Sequence, residues 1–422
     1  MNITRLPDLA AMAALLTILY FLRRRHPQEG VGLWIVGLLF IFLEAIAHSF
    51  YTVSGPLHIP SHIIALDSYL AAGVIFLWAS SRGLSPRRSR MIYLLANTPA
   101  LAALETVYAF DIRSTDTYYL IAGCGLVISF ATPVFLAKDR LGKIWWALLV
   151  HAILWISVWI FASNRMFRDA AYFPLFLLYF SVAVVFGMSL PRNSMGRIAI
   201  IAGFTIWSLV FLFHSWVTTH FQYTDITTEI WDLQKFLVAI GMLLVMLERQ
   251  VSSNEWFALH DQLTGLPNRR FFEDKLDEAI QQANRIGTRA AVIMIDLNGF
   301  KAVNDSQGHE VGDCLLQHIA NNLRHAIRPI DTLARLGGDE FIIVATELPS
   351  DLPASQIVET VSKRVIVALQ KPFQANGESF NIGGSIGVSI YPDDTTDEVL
   401  LRRLADQRMY QQKRQVESIF AN

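Results

Sequence analysis

The sequence predicts an all-α polytopic membrane domain followed by a soluble α+β domain, with the change near residue 250. Three observations carry this. Residues 1–250 hold 31 of the charged side chains and the remaining 172 residues hold 40, so charge density roughly doubles at the boundary. Apolar runs of bilayer-spanning length recur through the first part. In the second part amphipathic helical patterns alternate with short β-branched runs, as in a sheet with helices on its faces. A length of 422 residues accommodates two or three domains, and a net charge of -1 gives no whole-chain attraction to nucleic acid. The two cysteines, Cys124 in an apolar run and Cys314 in the soluble part, support neither a disulfide framework nor a cysteine metal site, and both read as core thiols.

Taken in order, the apolar runs lie near residues 7–22, 31–53, 61–80, 91–110, 117–137, 142–163, 170–190, 198–219 and 231–248. That makes about nine spans in a region covering residues 1–248. The short first run and the Asp232 and Lys235 of the ninth leave seven or eight as alternatives. One Arg precedes the first run and Arg23 to Arg25 follow it, so no cleavable signal peptide is expected. Alternate loops carry twelve basic residues (Arg23 to Arg25; Arg82, Arg87, Arg88 and Arg90; Lys138, Arg140 and Lys143; Arg192 and Arg197) against three in the others. Lys and Arg collect in cytoplasmic loops, so nine spans put the N-terminus outside and the C-terminal domain in the cytoplasm. Trp78, Trp145, Trp146, Trp216 and Trp231 sit near span ends and read as interfacial anchors. Glu44 and His48 share a helical face near the outer end of the second span, with His58 and His62 just beyond. They read as an interhelical hydrogen bond with ordinary loop histidines, the alternative being a metal, proton or small-ligand sensor. His151 and His214 are read the same way.

Residues 247–260 contain no Pro or Gly and extend the last span as a helical linker at 249–260. Next come a Gly and Pro loop, Asn268 as N-cap and an amphipathic helix to about Asn284. The run from Ala290 to Phe300 is a buried strand ending in an acid and a turn. A helix from about Lys301 to Ile327 follows, then a hairpin at 332–346, a helix at 354–370, strands near 378–382 and 384–391, and a last helix at 396–415. The hairpin carries Gly337, Gly338, Asp339 and Glu340 at its tip. Glycines there admit positive φ and close approach of a ligand, and the carboxylates offer oxygens to a hard cation. An ordinary acidic turn has the same composition.

Four blocks decide between these readings: DQLTGLPNRR at 261–270, IDLNGFKAVNDSQGHEVGD at 295–313, RLGGDEF at 335–341 and SIGVSIYP at 385–392. Together they resemble a GGDEF domain, the catalytic domain of diguanylate cyclases, with the resemblance running over residues 256–422 and the domain itself taken as 261–422. It implies a palm-like sheet with flanking helices, as in nucleotidyl cyclases, and a reaction joining two GTP into cyclic di-GMP with release of two pyrophosphates. Further implications are Mg²⁺, with Mn²⁺ as an alternative, activity as a homodimer, and, with the spans, a bacterial inner-membrane location in which the membrane region is sensory or regulatory.

By the same resemblance Asp296, the Leu297 carbonyl and Asp339 hold the metal, Asp339 also helps deprotonate the attacking hydroxyl, and Glu340 supports it. Alone, Asp296 would read as a helix cap. Asn304 and Asp313 match guanine-recognising positions and His309 a substrate-side position. Phosphates would lie on backbone N–H groups of the Asn298 to Lys301 loop, which includes Phe300, at a helix start that favours anions, and Lys413 matches a phosphate-contacting lysine. Arg328 and Asp331 form the Arg-x-x-Asp pair where many such domains bind their own product, the alternative being a surface pair of little energy. Two rival readings stand beside the cyclase: a silent GGDEF domain acting as a GTP or cyclic di-GMP receptor, and a transporter with a regulatory tail, for which no polar path through the spans is found.

One departure is visible. Three and four positions after the lysine the family usually has Gly-Arg, and this chain has Val416 and Glu417. A carboxylate therefore stands where a phosphate-binding cation is usual. Glu417→Arg is expected to lower the Kd for GTP in a binding titration; an unchanged Kd would remove Glu417 from the phosphate site.

Overall fold

The computed structural model describes residues 5–25, 30–51, 56–81, 87–136, 145–220 and 225–420. Arg82, Lys138, Arg140 and Lys143 lie outside these, as do the side chains of Trp145, Trp146, Trp231 and Glu417. The chain divides into two compact units, Met1–Gln250 and Val251–Asn422.

The first unit is built from helices α1 (Leu6–Arg25), α2 (Val31–Tyr51), α3 (His58–Ser80), α4 (Arg87–Ala109), α5 (Thr115–Leu136), α6 (Trp145–Ser163), α7 (Phe167–Ser189), α8 (Met195–His220) and α9 (Asp225–Leu259). Each falls on one of the nine apolar runs. Among the described residues six of them, α1, α2, α3, α7, α8 and α9, are long and apolar enough to cross a membrane. In α4 the Arg88, Arg90, Asn97 and Glu105 side chains dilute the apolar run, and the apolar stretch described in α6 is only Leu148–Ser163. Helices approach closely through small residues, since lipid gives apolar side chains no reason of their own to associate. At Gly37 a Cβ would come 2.4 Å from the Phe76 ring, and at Gly73 2.6 Å from Leu178. Polar side chains link other neighbours: Ser129 donates to Asn97 at 2.6 Å and accepts from the Trp155 indole at 2.9 Å, joining α4, α5 and α6.

Several buried polar residues of the first unit pair across helices, while Ser49, Ser61, Ser80 and Ser208 donate to carbonyls of their own helix. Glu44 of α2 accepts from Lys235 of α9 at 2.7 Å, which accounts for the charges at the start of the ninth run. His151 bonds the Tyr93 hydroxyl, and His214 stacks on Tyr172 with centroids 4.1 Å apart. The expectation of core thiols is corrected: Cys124 and Cys314 are both exposed. On the helix carrying Cys314, Leu315, Leu316, Ile319 and Ala320 take the inward face, and Cys314 lies off that stripe.

The second unit is an antiparallel sheet with helices on both faces. Strands β1 (Arg289–Asn298), β2 (Thr332–Gly337), β3 (Glu340–Leu348) and β6 (Gly383–Tyr391) run in the order β2-β3-β1-β6. Alternate side chains of β1 serve opposite cores. Ile293, Ile295 and Leu297 pack with α12 (His309–Ala326) and α13 (Ala354–Leu369), while Val292 and Met294 pack with α10 (Arg269–Ile286) and α14 (Glu398–Phe420). A central strand buried on both faces needs a continuous apolar run, which residues 290–295 supply.

Two sequence expectations are corrected here. The single helix over 301–327 is two, α11 (Phe300–Gln307) and α12, separated by Gly308 at φ 87°. The strand over 378–382 is β5 (Glu378–Phe380), paired with an unforeseen β4 (Phe373–Ala375) in a separate hairpin. Its turn, Asn376-Gly377, has φ of 52° and 82°, the positive pair that a two-residue hairpin turn needs. The hairpin touches α11 through Gln307, which donates to Glu378 at 3.0 Å and accepts from Asn376 at 3.2 Å.

Helix α14 lies directly on β6: a Cβ on Gly387 would meet the Ala405 carbonyl at 2.0 Å and the Met409 nitrogen at 2.3 Å. Asp394 fastens the same junction, accepting from Arg408 through both oxygens at 2.8 Å and from the Ile390 N–H at 2.7 Å. The Arg408 guanidinium holds the Asp394 carboxyl below the usual carboxylate range, against partial burial. A depressed carboxylate stabilises the fold above its unfolded pKa, about 3.9, and that contribution is lost as pH falls through the folded value. Asp394→Asn is therefore expected to lower the Tm at neutral pH, with the gap to the wild type closing below about pH 4 in thermal melts taken across pH.

Candidate active site

The sheet register brings the acids together. Asp296 of β1 stands opposite Glu340 of β3, and the Leu297 N–H donates to the Asp339 carbonyl at 3.3 Å. The β2–β3 turn is built by glycine, with Gly337 at φ 143° and Gly338 at φ 54°. Asp296 is 6% exposed, so its charge needs a partner. Lys413, one turn beyond Met409 on α14, supplies one, its Nζ 2.7 Å from Asp296 Oδ1. Burial pushes the Glu340 carboxyl up, and so do the charges of Asp296, Asp339 and Asp406, against the opposing Arg269.

Crowded carboxylates with an ammonium drawn onto one of them are the chemistry a hard divalent cation would satisfy. Among the described residues no group of three or more His, Cys, Asp or Glu is arranged to hold a metal. An ion between Asp296 and Asp339 would thus be completed by backbone and phosphate oxygens, as Mg²⁺ prefers, and the residues fit such an ion.

Gly299, at φ 81°, turns the chain from β1 into α11. Phe300 packs its ring on the core and Lys301 is exposed on the first turn, at a helix start whose backbone N–H groups favour anions in general. Asn304 lies against the start of α12: a Cβ on Gly312 would sit 1.9 Å from its Oδ1. The Gly308 break therefore brings half-buried Asn304 beside the turn carrying exposed Asp313, with exposed His309 at the helix start.

Arg328 and Asp331 sit at the other end of β2. Asp331 accepts from the Arg328 N–H at 3.0 Å and the Thr346 N–H at 3.2 Å, leaving the Arg328 side chain exposed. Both residues line a cavity of about 90 Å³ that also includes Thr360 and Arg364. Arg364 was not singled out from the sequence, because it comes from α13, far along the chain.

Arg335 was also missed as an individual. It is 9% exposed, gives two hydrogen bonds to the Gly338 carbonyl at 3.0 and 2.7 Å, and pairs with Asp261 at 2.9 Å. Its own N–H donates to the Pro267 carbonyl at 2.9 Å. Burial opposes the Asp261 charge, but Thr264, through hydroxyl and N–H, and Arg335 outweigh it and hold that carboxyl low. The 261–270 block is thus the brace of the glycine turn.

The domain is of the α+β class, with acids gathered at a glycine turn at one end of the central strands β3 and β1, beside a helix start of the kind that favours anions. Residues 258–418 match the family described as "Diguanylate cyclase, GGDEF domain", and this part of the chain is a GGDEF domain preceded by apolar helices. It is 43% identical over 161 residues to the bifunctional diguanylate cyclase/cyclic di-GMP phosphodiesterase MucR of Pseudomonas aeruginosa, a match covering 37% of this chain and 22% of that protein. It is 39% identical over 159 residues to the diguanylate cyclase TpbB of the same organism, covering 37% of this chain and 36% of that one. The chain thus spans only about a fifth to a third of the length of these relatives. Among solved structures, a sensory box/GGDEF family protein from Caulobacter crescentus is 38% identical, with 37% of this chain and 99% of that chain covered and a TM-score of 0.35. The coiled coil and GGDEF domain of DgcB from the same organism, solved with c-di-GMP, is 25% identical, with 43% and 94% covered and a TM-score of 0.38.

Arg335→Met keeps much of the side-chain volume and removes the brace. It is expected to cost about 2 kcal/mol of stability, as lost charged hydrogen bonds do. By loosening the turn it should lower turnover on the order of 10²-fold. Denaturation and kcat measurements on the same preparation check both effects, and an unchanged kcat in the destabilised protein would separate the brace from the site.

Proposed function

We propose that this chain is a membrane-anchored, homodimeric diguanylate cyclase of the bacterial inner membrane. It would join two GTP into cyclic di-GMP and two pyrophosphates, with its membrane region and bound product regulating output. The observation that carries this reading is the convergence of Asp296, Asp339 and Glu340 at one end of the central β1–β3 pair, with Lys413 against Asp296.

Bound Mg²⁺, or Mn²⁺ in its place, would be held by Asp296, Asp339 and the Leu297 carbonyl and would neutralise phosphate charge. The protein's own groups do the positioning. Asn304 and Asp313 present amide and carboxylate groups to the guanine edge, and His309 stands beside them. N–H groups around Phe300 and Lys301 receive the phosphates, and the Lys413 ammonium moves its charge from Asp296 to a phosphate oxygen. Asp339, with Glu340 supporting it, takes the proton of one GTP's ribose 3′-hydroxyl. That oxygen bonds the α-phosphorus of the other GTP, the bond to the β-phosphate oxygen breaks, and pyrophosphate leaves. The same step in the opposite sense closes the ring, so one domain supplies half of the site and a second copy the other half. Glu417, in place of the usual cation, favours one competing reading, a receptor that binds GTP or product without turnover.

Incubation of the purified full-length protein with GTP and Mg²⁺ is expected to yield cyclic di-GMP and pyrophosphate, and Asp339→Ala to abolish both. Added product should lower the steady-state rate in the wild type and much less in Arg328→Ala. Binding of GTP with no product formed would select the receptor reading, and equal inhibition of both proteins would remove Arg328 and Asp331 from any product site.

A further inference from the structure

Lys235 of α9 is 2% exposed inside the first unit, yet it is fully paired. Its Nζ lies 2.7 Å from Glu44 Oε2 on α2 and 2.7 Å from Asp232 Oδ1 one turn earlier on α9. Glu44 is 1% and Asp232 8% exposed. The ammonium also stands over the Tyr69 ring of α3, 5.6 Å from its centroid, and His48 Nδ1 is 3.7 Å from Glu44 Oε1. Arg5, just before α1, and Asp8 and Met12 of α1 line the same small cavity as Asp232 and Lys235.

A second clamp holds α9 at Glu248. Its carboxylate receives the N–H groups of Met195 at 2.8 Å and Gly196 at 3.2 Å, at the start of α8, and the Ser194 hydroxyl. Lys235 and Glu248 are about 20 Å apart along the helix at 1.5 Å per residue. Between them the two backbones nearly touch: a Cβ on Gly196 would meet the Val245 nitrogen at 2.5 Å, and one on Gly241 the Ile200 nitrogen at 2.8 Å. Val238, Val245 and Ile200 seat against glycines of the facing helix along this seam, and the charged contacts, which are made or broken as wholes, add a discrete stop near each end of it.

Burying three charges costs several kcal/mol for each, and apolar residues of similar volume often hold a fold as well or better. Stability alone therefore does not call for a charged triad here. Its position does suggest a use, because α9 passes the division at Gln250 and ends at Leu259, directly before the block that braces the glycine turn. We propose that the Glu44–Lys235–Asp232 triad is a latch that sets the register of α9, and that making and breaking it is how the membrane unit changes the output of the cyclase. This rests on the cyclase reading above.

The test uses the full-length protein in phospholipid vesicles and reads two quantities: the initial rate of cyclic di-GMP formation and hydrogen exchange over residues 225–248. Three variants are compared: E44Q, the neutral triple E44Q/D232N/K235M, and the swap E44K/K235E. The swap keeps one ammonium between two carboxylates with the lysine now on α2. E44Q and the triple variant are expected to change the rate by about threefold or more and to speed exchange, and the swap to return both to within about twofold of the wild type, as a restored pair does. A neutral triple variant with wild-type rate and exchange overturns the latch. So does a folded swap that keeps the E44Q behaviour, and so does loss of folded protein in all three variants, which would assign the triad to folding alone. A wild type that makes no product removes the cyclase reading and with it the proposed link to output, whereas the exchange data still judge the latch itself.

Discussion

The register of β1 against β3 is the constraint on which the candidate site depends. Pairing Asp296 with Glu340 places one acid of each strand at the same level and lays the Asp339 backbone against Leu297. A slip of one residue would turn every side chain of β1 to the opposite face, sending Ile293 and Ile295 into the wrong core. Hydrophobic packing therefore fixes the position of the acids, and they contribute nothing to that choice themselves. The repulsion they generate is tolerated because two cores, one on each face, hold the strand in place.

Around that register the domain works by bracing. Arg335 ties the glycine turn to the 261–270 block, Asp394 ties β6 to α14, and the backbone contact at Gly387 sets the height at which Lys413 meets Asp296. Each brace lies outside the acids, yet each determines where a charge stands. The first unit follows a related plan with different materials: glycine seams let helices approach, and a few buried ion pairs decide which approach is final.

Much of this was legible in the sequence, and the reasons differ by element. Among the described residues an apolar run marked each helix from α1 to α9, because a span must be continuous, and six of these helices are long and apolar enough to cross a membrane. The strand carrying Asp296 and the hairpin carrying Asp339 were legible as a buried run and a two-glycine turn. The break at Gly308 was not, because one glycine inside an amphipathic pattern is compatible with an unbroken helix. The β4–β5 hairpin escaped because its strands are three residues each, although Asn376-Gly377 was a usable signal. Cys314 was read as a core thiol because no disulfide or metal site claimed it, and its place around the helix, off the inward stripe, was not used. Arg335, Arg364 and the Glu44–Lys235 pair depend on partners distant in the chain, which no local pattern encodes. The assignment of Asn304, His309 and Asp313 came from resemblance, and the geometry adds that Asn304 is packed against Gly312.

The small β4–β5 hairpin stands apart from the main sheet but is hydrogen-bonded to Gln307, the last residue of the helix that bears Asn304. It makes a natural place for a spectroscopic handle. Neither residue of its Asn376-Gly377 tip belongs to a hydrophobic core, yet a probe carried there shares a hydrogen-bonded frame with the helix that bears Asn304. A change at that helix would then be read optically, without turnover as the signal.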